Sequence, residues 1–186
     1  MNNIINNSDN RIQKDYRRNI LAIIFNSDWK VLIWQNRWWG QDWTFPKWWI
    51  EKWESKEIAL FREIYEEIWL KKDTLNIVYR YKQPFKKDFS QEEIQWKIKN
   101  KNEYYIWKKD YIFLISYNGL WRINLWITNE LLCYKRIEIN EIWTYIQNEK
   151  LLSIINIPFL KKKINSELFR NAINRKSLWR CENLTW

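Results

Sequence analysis

The chain contains no histidine, and of its 186 residues only 2 are glycine, 2 are cysteine and 3 are proline. Without histidine no Ser-His-Asp triad can be built and no imidazole can ligate a metal. Cys133 and Cys181 stand far apart. They spell neither a zinc motif nor a disulfide framework, a usage that fits a reducing cytoplasm, where the protein is expected to reside. No apolar run reaches the length of a membrane-spanning helix, so no membrane association is expected. The stretch Met1–Asn10 is polar and rich in asparagine, and is not expected to act as a secretion signal.

Glycine is the most informative absence. An average soluble chain is about 7% glycine, so roughly 13 are expected at this length. Only 2 are present, beside 16 tryptophans. The deficit nearly matches the tryptophan excess, as if one residue had been written for the other. Some genetic codes read UGA as glycine and others as tryptophan, and translating a gene with the wrong table gives this pattern. The other reading is a chain truly rich in tryptophan, with the extra rings in a core or on a binding surface. Composition leaves both open; position has to decide. The net charge of +10 favours polyanionic partners such as RNA or nucleotide phosphates, although a solvated lysine face gives the same count.

The length suits one domain with a real core. Residues 1–12 read as a disordered tail, 13–165 as the domain, and 166–186 as an extension without an assignable role. Strand-like runs stand at Ile20–Phe25 and Val31–Trp34. Between them, Asn26-Ser27-Asp28-Trp29 becomes a strong hairpin turn if position 29 is glycine. As tryptophan it puts a large ring where a positive φ is wanted. A loop from Trp38 to Ser55 leads into a strong helix ending near Ile68. Later strands are expected at Ile77–Tyr81, Tyr111–Tyr117, Ile123–Ile127 and Arg136–Ile139, with Lys82–Lys109 a charged surface excursion. Glu141–Glu149 reads as a short helix, and Ile157–Arg175 as a basic amphipathic helix with Pro158 near its start.

The chemistry concentrates in Trp48–Leu70, WWIEKWESKEIALFREIYEEIWL. Ser55 is a suitable N-cap, and Glu57 in the first turn suits the helix dipole. At 100° per residue, Ile58, Phe61, Ile64, Tyr65 and Ile68 share a face expected to pack on the sheet. Glu63, Glu66 and Glu67 fall together on the other side. Three carboxylates that close repel unless something positive lies between them, and hard oxygen donors suit Mg²⁺ or Mn²⁺. Taken alone, the same pattern also describes an ordinary solvated acidic face.

The spacing resembles the Nudix box, G-x5-E-x7-R-E-U-x-E-E-x-G-U, with U an apolar aliphatic residue. Glu54, Arg62, Glu63, Ile64, Glu66, Glu67 and Leu70 match in register, and both glycines of the pattern stand as Trp48 and Trp69. Trp43-Thr44-Phe45-Pro46-Lys47-Trp48-Trp49-Ile50 is similar to the W-x-F-P-x-G-G-I segment of RNA pyrophosphohydrolases and dinucleoside polyphosphate hydrolases. There Trp43 is a true tryptophan, while Trp48, Trp49 and Trp53 stand for glycines. Trp34, Trp39 and Trp107 look like further glycine sites. Trp38, Trp96, Trp121, Trp126, Trp143, Trp179 and Trp186 are not assigned by this resemblance.

The resemblance implies an α/β fold, an α/β/α sandwich around a mixed sheet, and metal-assisted hydrolysis of a diphosphate linkage. It implies Mg²⁺ or Mn²⁺ held by Glu63, Glu66 and Glu67 with a backbone carbonyl at Lys47 or Trp48, Glu63 being a further ligand or the general base. Glu54 and Arg62 would hold loop and helix together, although Arg62 could simply pair with Glu66 at i,i+4. Glu138 looks like an additional carboxylate recruited from a late loop, or equally a strand-end surface acid. Arg17 matches a phosphate-binding arginine, although Arg18 stands where that subfamily has proline. Arg37, Lys47 and Lys108 are further basic candidates for the substrate, a nucleotide or an RNA 5′ end. A dinucleoside tetraphosphate substrate fits nearly the same motif. If the tryptophans are genuine, a non-catalytic nucleic-acid-binding module becomes the competing reading. Oligomeric state does not follow from the sequence.

Overall fold

The computed structural model describes residues 16–36, 42–119 and 131–168. Among these, eight strands form one mixed sheet along the path β3-β2-β1-β7-β5. At its centre β1 (Arg17–Asn26) runs parallel to β7 (Trp107–Tyr117), in register from Arg17 opposite Lys108 to Asn26 opposite Tyr117. A strand covered on both faces reads as a continuous apolar run, and Ile20–Phe25 is one. Period-two alternation sends Leu21, Ile23 and Phe25 into one core and Ile20, Ala22 and Ile24 into the other.

The second core is closed by helix α1 (Lys56–Ile68). The first is closed by α3 (Ile142–Tyr145), α4 (Glu149–Ile155) and a helical segment over residues 157–168. This is the expected α/β/α sandwich. Among the described residues no helix is long and apolar enough to cross a membrane.

Strand β2 (Lys30–Asn36) leaves β1 soon after the turn, where Phe25 faces Val31, and pairs along its length with β8 (Leu131–Glu138). Two short strands occupy the gap between β1 and β2. β3 (Trp43–Thr44) pairs with β2, and β4 (Lys47–Trp49) with β1, Trp48 lying opposite Ile20. The stretch expected as a plain loop is thus pinned to the sheet at two points, which fixes the segment leading into α1.

Lys82–Lys109 is not a loose excursion. It holds β6 (Phe85–Asp88), paired with β7, and helix α2 (Gln91–Lys101). Ser90 and Glu93 form a reciprocal capping box at the start of α2, which stabilises a helix whose own amphipathicity is weak. Strand β5 (Leu75–Arg80) continues along the same edge of β7, the one away from β1. The helix expected at Glu141–Glu149 is two helices, because Asn148 caps the second by accepting the Leu151 N–H. On α1 the buried face is Ala59, Leu60, Ile64 and Ile68, whereas Ile58 and Tyr65 are more than half exposed. The buried arc is therefore rotated towards Glu63 and Glu67. The strand expected at Ile123–Ile127 and the end of the helix expected to reach Arg175 lie outside the described residues.

Backbone geometry bears on the tryptophans. Four non-glycine residues among those described have positive φ: Trp29 at 64°, Trp69 at 58°, Asn102 and Asn156. Asparagine tolerates this region, but a bulky side chain does so at a cost. Trp29 closes the β1–β2 hairpin, donating its N–H to the Asn26 carbonyl, and Trp69 is the left-handed C-cap of α1, donating to the Tyr65 carbonyl. Both are positions where the chain's path asks for glycine. Trp69→Gly is therefore expected to raise stability by about 1 kcal/mol, read as a higher midpoint in urea unfolding. A lower midpoint would mean that the indole stacked on Tyr65 outweighs the strain. Trp34 and Trp48 differ, being buried and packed edge to face with centroids 5.3 Å apart.

Candidate functional site

The segment between β4 and α1 is organised by Glu54, which is 4% exposed. Its carboxylate accepts the Glu51 N–H at 2.8 Å and a two-pronged bond from Arg62, Nε at 3.1 Å and Nη2 at 2.6 Å. Ser55 caps the helix by accepting the Ile58 N–H. Glu54 and Arg62 thus tie the loop to the second turn of α1. The Arg62 hydrogen bonds hold the Glu54 carboxyl below the usual carboxylate range, and the pair pushes the Arg62 guanidinium above its ordinary value.

The remaining guanidinium nitrogen of Arg62, Nη1, reaches Glu63 at 2.9 Å and Glu66 at 3.0 Å. One cation therefore sits among three of the box carboxylates. Glu63 is largely buried, and desolvation pushes its carboxyl up to about 7 against the opposing pull of Arg62. Glu66 stands half in solvent. Glu67 accepts a hydrogen bond from the Trp48 indole Nε1 at 2.7 Å.

Glu63, Glu66 and Glu67 are the hard oxygen donors a divalent cation takes. As the side chains stand, no group of three or more acidic, histidine or cysteine residues among those described is gathered closely enough to hold an ion. The cause is visible: Arg62 draws Glu63 and Glu66 to itself, and the indole of Trp48 binds Glu67. A glycine at position 48 would remove that donor from Glu67, so the donor set fits a metal only without that ring. The backbone of Trp48 lies in the β1–β4 ladder, between the Ala22–Pro46 and Ile50–Arg18 bonds.

One residue before Trp48, a second cluster begins. Lys47 and Lys108 lie by Asp110, which is fully buried, while Lys87, paired with Glu93 at 2.7 Å, adds its charge near Lys47. Lys108 lies 3.2 Å from the Asp110 carboxylate, and Asn19 donates to that carboxylate at 2.9 Å. Desolvation, with Lys108 and Lys87 adding to it, pushes the Lys47 ammonium down to about 8 despite Asp110. Arg17, one register step from Asn19 on the same face of β1, is 6% exposed and paired with Glu103 at 2.7 Å. Its guanidinium lies 3.0 Å from the Trp49 ring centroid, and desolvation pushes it down to about 10.

The structure thus brings Arg17, Lys47 and Lys108 to one end of the sheet, on the face opposite α1, with β4 between them and the Glu54–Glu67 group. It does not bring Glu138 there. Glu138 ends β8 opposite Lys30, at the hairpin, with a half-exposed side chain. It lies four residues, about 13 Å of strand, beyond Tyr134, which pairs with Trp34 next to the site. Its position matches the surface-acid reading. Arg37 and Trp39 lie outside the described residues. Asn19, Glu103 and Asp110 were not singled out from sequence. The Ser90-x-x-Glu93 capping signal, which marks α2 and so the position of Glu103, was legible.

The NUDIX domain model matches residues 15–155. A curated RNA pyrophosphohydrolase of Tolumonas auensis is 34% identical over 84 residues, covering 45% of this chain and 48% of the relative. One from Vibrio cholerae is 37% identical over 75 residues, covering 37% and 43%. The chain therefore spans about half, or less, of the length of these relatives. A Caenorhabditis elegans Ap4A hydrolase structure superposes with a TM-score of 0.58 at 16% identity, covering 80% of this chain and 98% of that one. The Escherichia coli dihydroneopterin triphosphate pyrophosphohydrolase gives 0.59 at 18%, covering 76% and 96%. At such identities the structural likeness shows the fold.

Proposed function

Because this chain belongs to the Nudix family, we propose that it hydrolyses nucleoside polyphosphate linkages with a divalent metal ion, as an RNA 5′ pyrophosphohydrolase whose working form has glycine at several positions written as tryptophan. The observation that carries the reading is the position of β4. Adjacent residues of β4 face opposite sides of the sheet, Lys47 into the basic cluster and Trp48 towards the carboxylates, so this short strand is the shared edge at which a polyphosphate held by the one group would approach the other. The similarity to RNA pyrophosphohydrolases and the +10 charge favour an RNA end over a dinucleoside tetraphosphate. The scarcity of cysteine favours a cytoplasmic site of action.

When bound, Mg²⁺ or Mn²⁺ would be held by Glu63, Glu66, Glu67 and the backbone of residue 48, and would neutralise phosphate charge and acidify a water. The chain's own groups do the rest. Glu54 and Arg62 keep the loop and helix in register, so that the carboxylates project from a fixed frame. Lys47, Lys108 and Arg17 oppose the negative charge of the phosphates. Glu63 is a further ligand or the general base that takes a proton from the attacking water.

The test compares two full-length chains, as written and with Trp→Gly at 29, 34, 39, 48, 49, 53, 69 and 107, on triphosphorylated RNA and diadenosine tetraphosphate with Mg²⁺ or Mn²⁺. The glycine-bearing chain is expected to cleave, with RNA preferred, and Glu67→Gln to lower its kcat by about 10²–10³. If both chains fold and neither cleaves either substrate, the catalytic reading falls. Preference for the dinucleotide would move the assignment to that substrate.

A further inference from the structure

We infer that Glu103, just past the end of helix α2, is a positioning residue that holds Arg17 with two of its nitrogens free for a substrate phosphate. The inference rests on the polyphosphate reading above. Glu103 is 8% exposed and lies between two cations, Arg17 Nη1 at 2.7 Å and Lys97 Nζ at 3.5 Å, both more buried still. Its place is set by a doubly capped helix. The Ser90–Glu93 box fixes the start of α2, and at its end Asn102 turns left-handed while the Glu103 N–H donates to the Lys97 carbonyl. Lys97 and Glu103 are thus brought side by side by the helix terminus itself, and together they present one carboxylate to β1.

Arg17 meets that carboxylate with one nitrogen only. Nε and Nη2 are buried with no hydrogen-bond partner. A buried guanidinium with unmet donors is stable only where something supplies acceptors, and a planar fork with two adjacent N–H groups matches a phosphate or phosphodiester oxygen pair. Two further points place that acceptor in the substrate. Arg17 lies opposite Lys108 across the β1–β7 pair. The face of its guanidinium is covered by Trp49, a residue that stands at a glycine position in the family's segment. Without that indole the face of the guanidinium is uncovered. Glu103 binding at Nη1 stops the side chain from turning away, so the donors are oriented before substrate arrives.

A structural ion pair would have the same distances, so the test reads substrate affinity through Arg17. In the glycine-bearing full-length chain, Glu103→Gln is expected to raise KM for triphosphorylated RNA about tenfold, with kcat changed less than about twofold. Glu103→Asp should raise it less. In an Arg17→Gln background, Glu103→Gln should add nothing further. An unchanged KM, a loss confined to kcat, or the same KM rise with Arg17 already removed would each overturn the inference. So would loss of the fold in both Glu103 variants, which makes Glu103 a folding residue. If the parent chain cleaves neither substrate, the polyphosphate reading has failed instead. Binding of inorganic tripolyphosphate, by calorimetry on the same variants, then decides Glu103 on its own: equal affinity with and without its carboxylate refutes the positioning role.

Discussion

Retaining tryptophan at position 48 alone, with glycine at the other seven sites, is expected to lower RNA hydrolysis by at least about 100-fold relative to the chain with all eight glycines. Trp29 and Trp69 act on backbone strain, and Trp53 lies on the surface. Trp48 acts on a carboxylate: its indole N–H occupies Glu67 at 2.7 Å, and its ring, 3% exposed, lies against Trp34 beneath α1. An N–H donor and a divalent cation compete for the same oxygen, and the donor is covalently tethered there. Stability should move the other way. Deleting a buried indole costs about 3 kcal/mol or more when the cavity cannot collapse. The chain that gains activity is therefore expected to unfold at lower urea than its Trp48-retaining counterpart. Equal hydrolysis by the two chains would show that Glu67 is not needed free, and would remove position 48 from the site.

Glu54→Ala is expected to destabilise the fold by about 3 kcal/mol, the low end for breaking a buried ion pair. The low end applies because Arg62 remains partly in solvent and keeps Glu63 and Glu66. Three hydrogen bonds converge on this one carboxylate. Removing it frees both the Glu51 turn and the Arg62 fork. The pair also sets an acid limit. Because the folded chain holds the Glu54 carboxyl below its ordinary range, the unfolded chain binds more protons there. The contribution is complete above the ordinary carboxylate pKa and is lost as pH falls through it towards the folded value. Glu54→Gln should flatten the acid limb of stability against pH while lowering stability at neutrality. Urea midpoints between neutral and acid pH measure both. A Glu54→Gln limb parallel to that of the parent chain would show that the pair does not titrate in this way.

The box carboxylates were legible because their geometry is local: a helix converts spacing along the chain directly into a face. The same holds for Ser55, for Trp69 at the helix end and for the Asn26–Trp29 turn. What escaped was non-local. Asn19 and Asp110 acquire meaning only when β1 and β7 lie parallel, in a register that nothing nearby in sequence fixes. Glu103 becomes notable only when α2 sets it beside β1. The face of α1 was misjudged for a related reason. Ile58 and Tyr65 satisfy a helical period, but packing against β1 and β4 decides which arc is covered, and Ala59 and Leu60 take that place. Glu138, open to two readings by its order along the chain, is carried by the strand pairing to the hairpin end of the sheet, where the strand-end reading fits.

The parallel contact between β1 and β7 also shapes the order of assembly. The bond from Asn19 to Asp110 spans 91 positions, so during synthesis the most apolar strand of the protein emerges long before its central neighbour exists. Until β7 arrives, Ile20–Phe25 has only the splayed start of β2 and the three residues of β4 to cover its edges. Long-range pairing of this kind slows folding and prolongs the exposure of a sticky edge. For the nascent chain, the interval between making the first strand and making the seventh is the window in which association with other unfinished chains competes with folding.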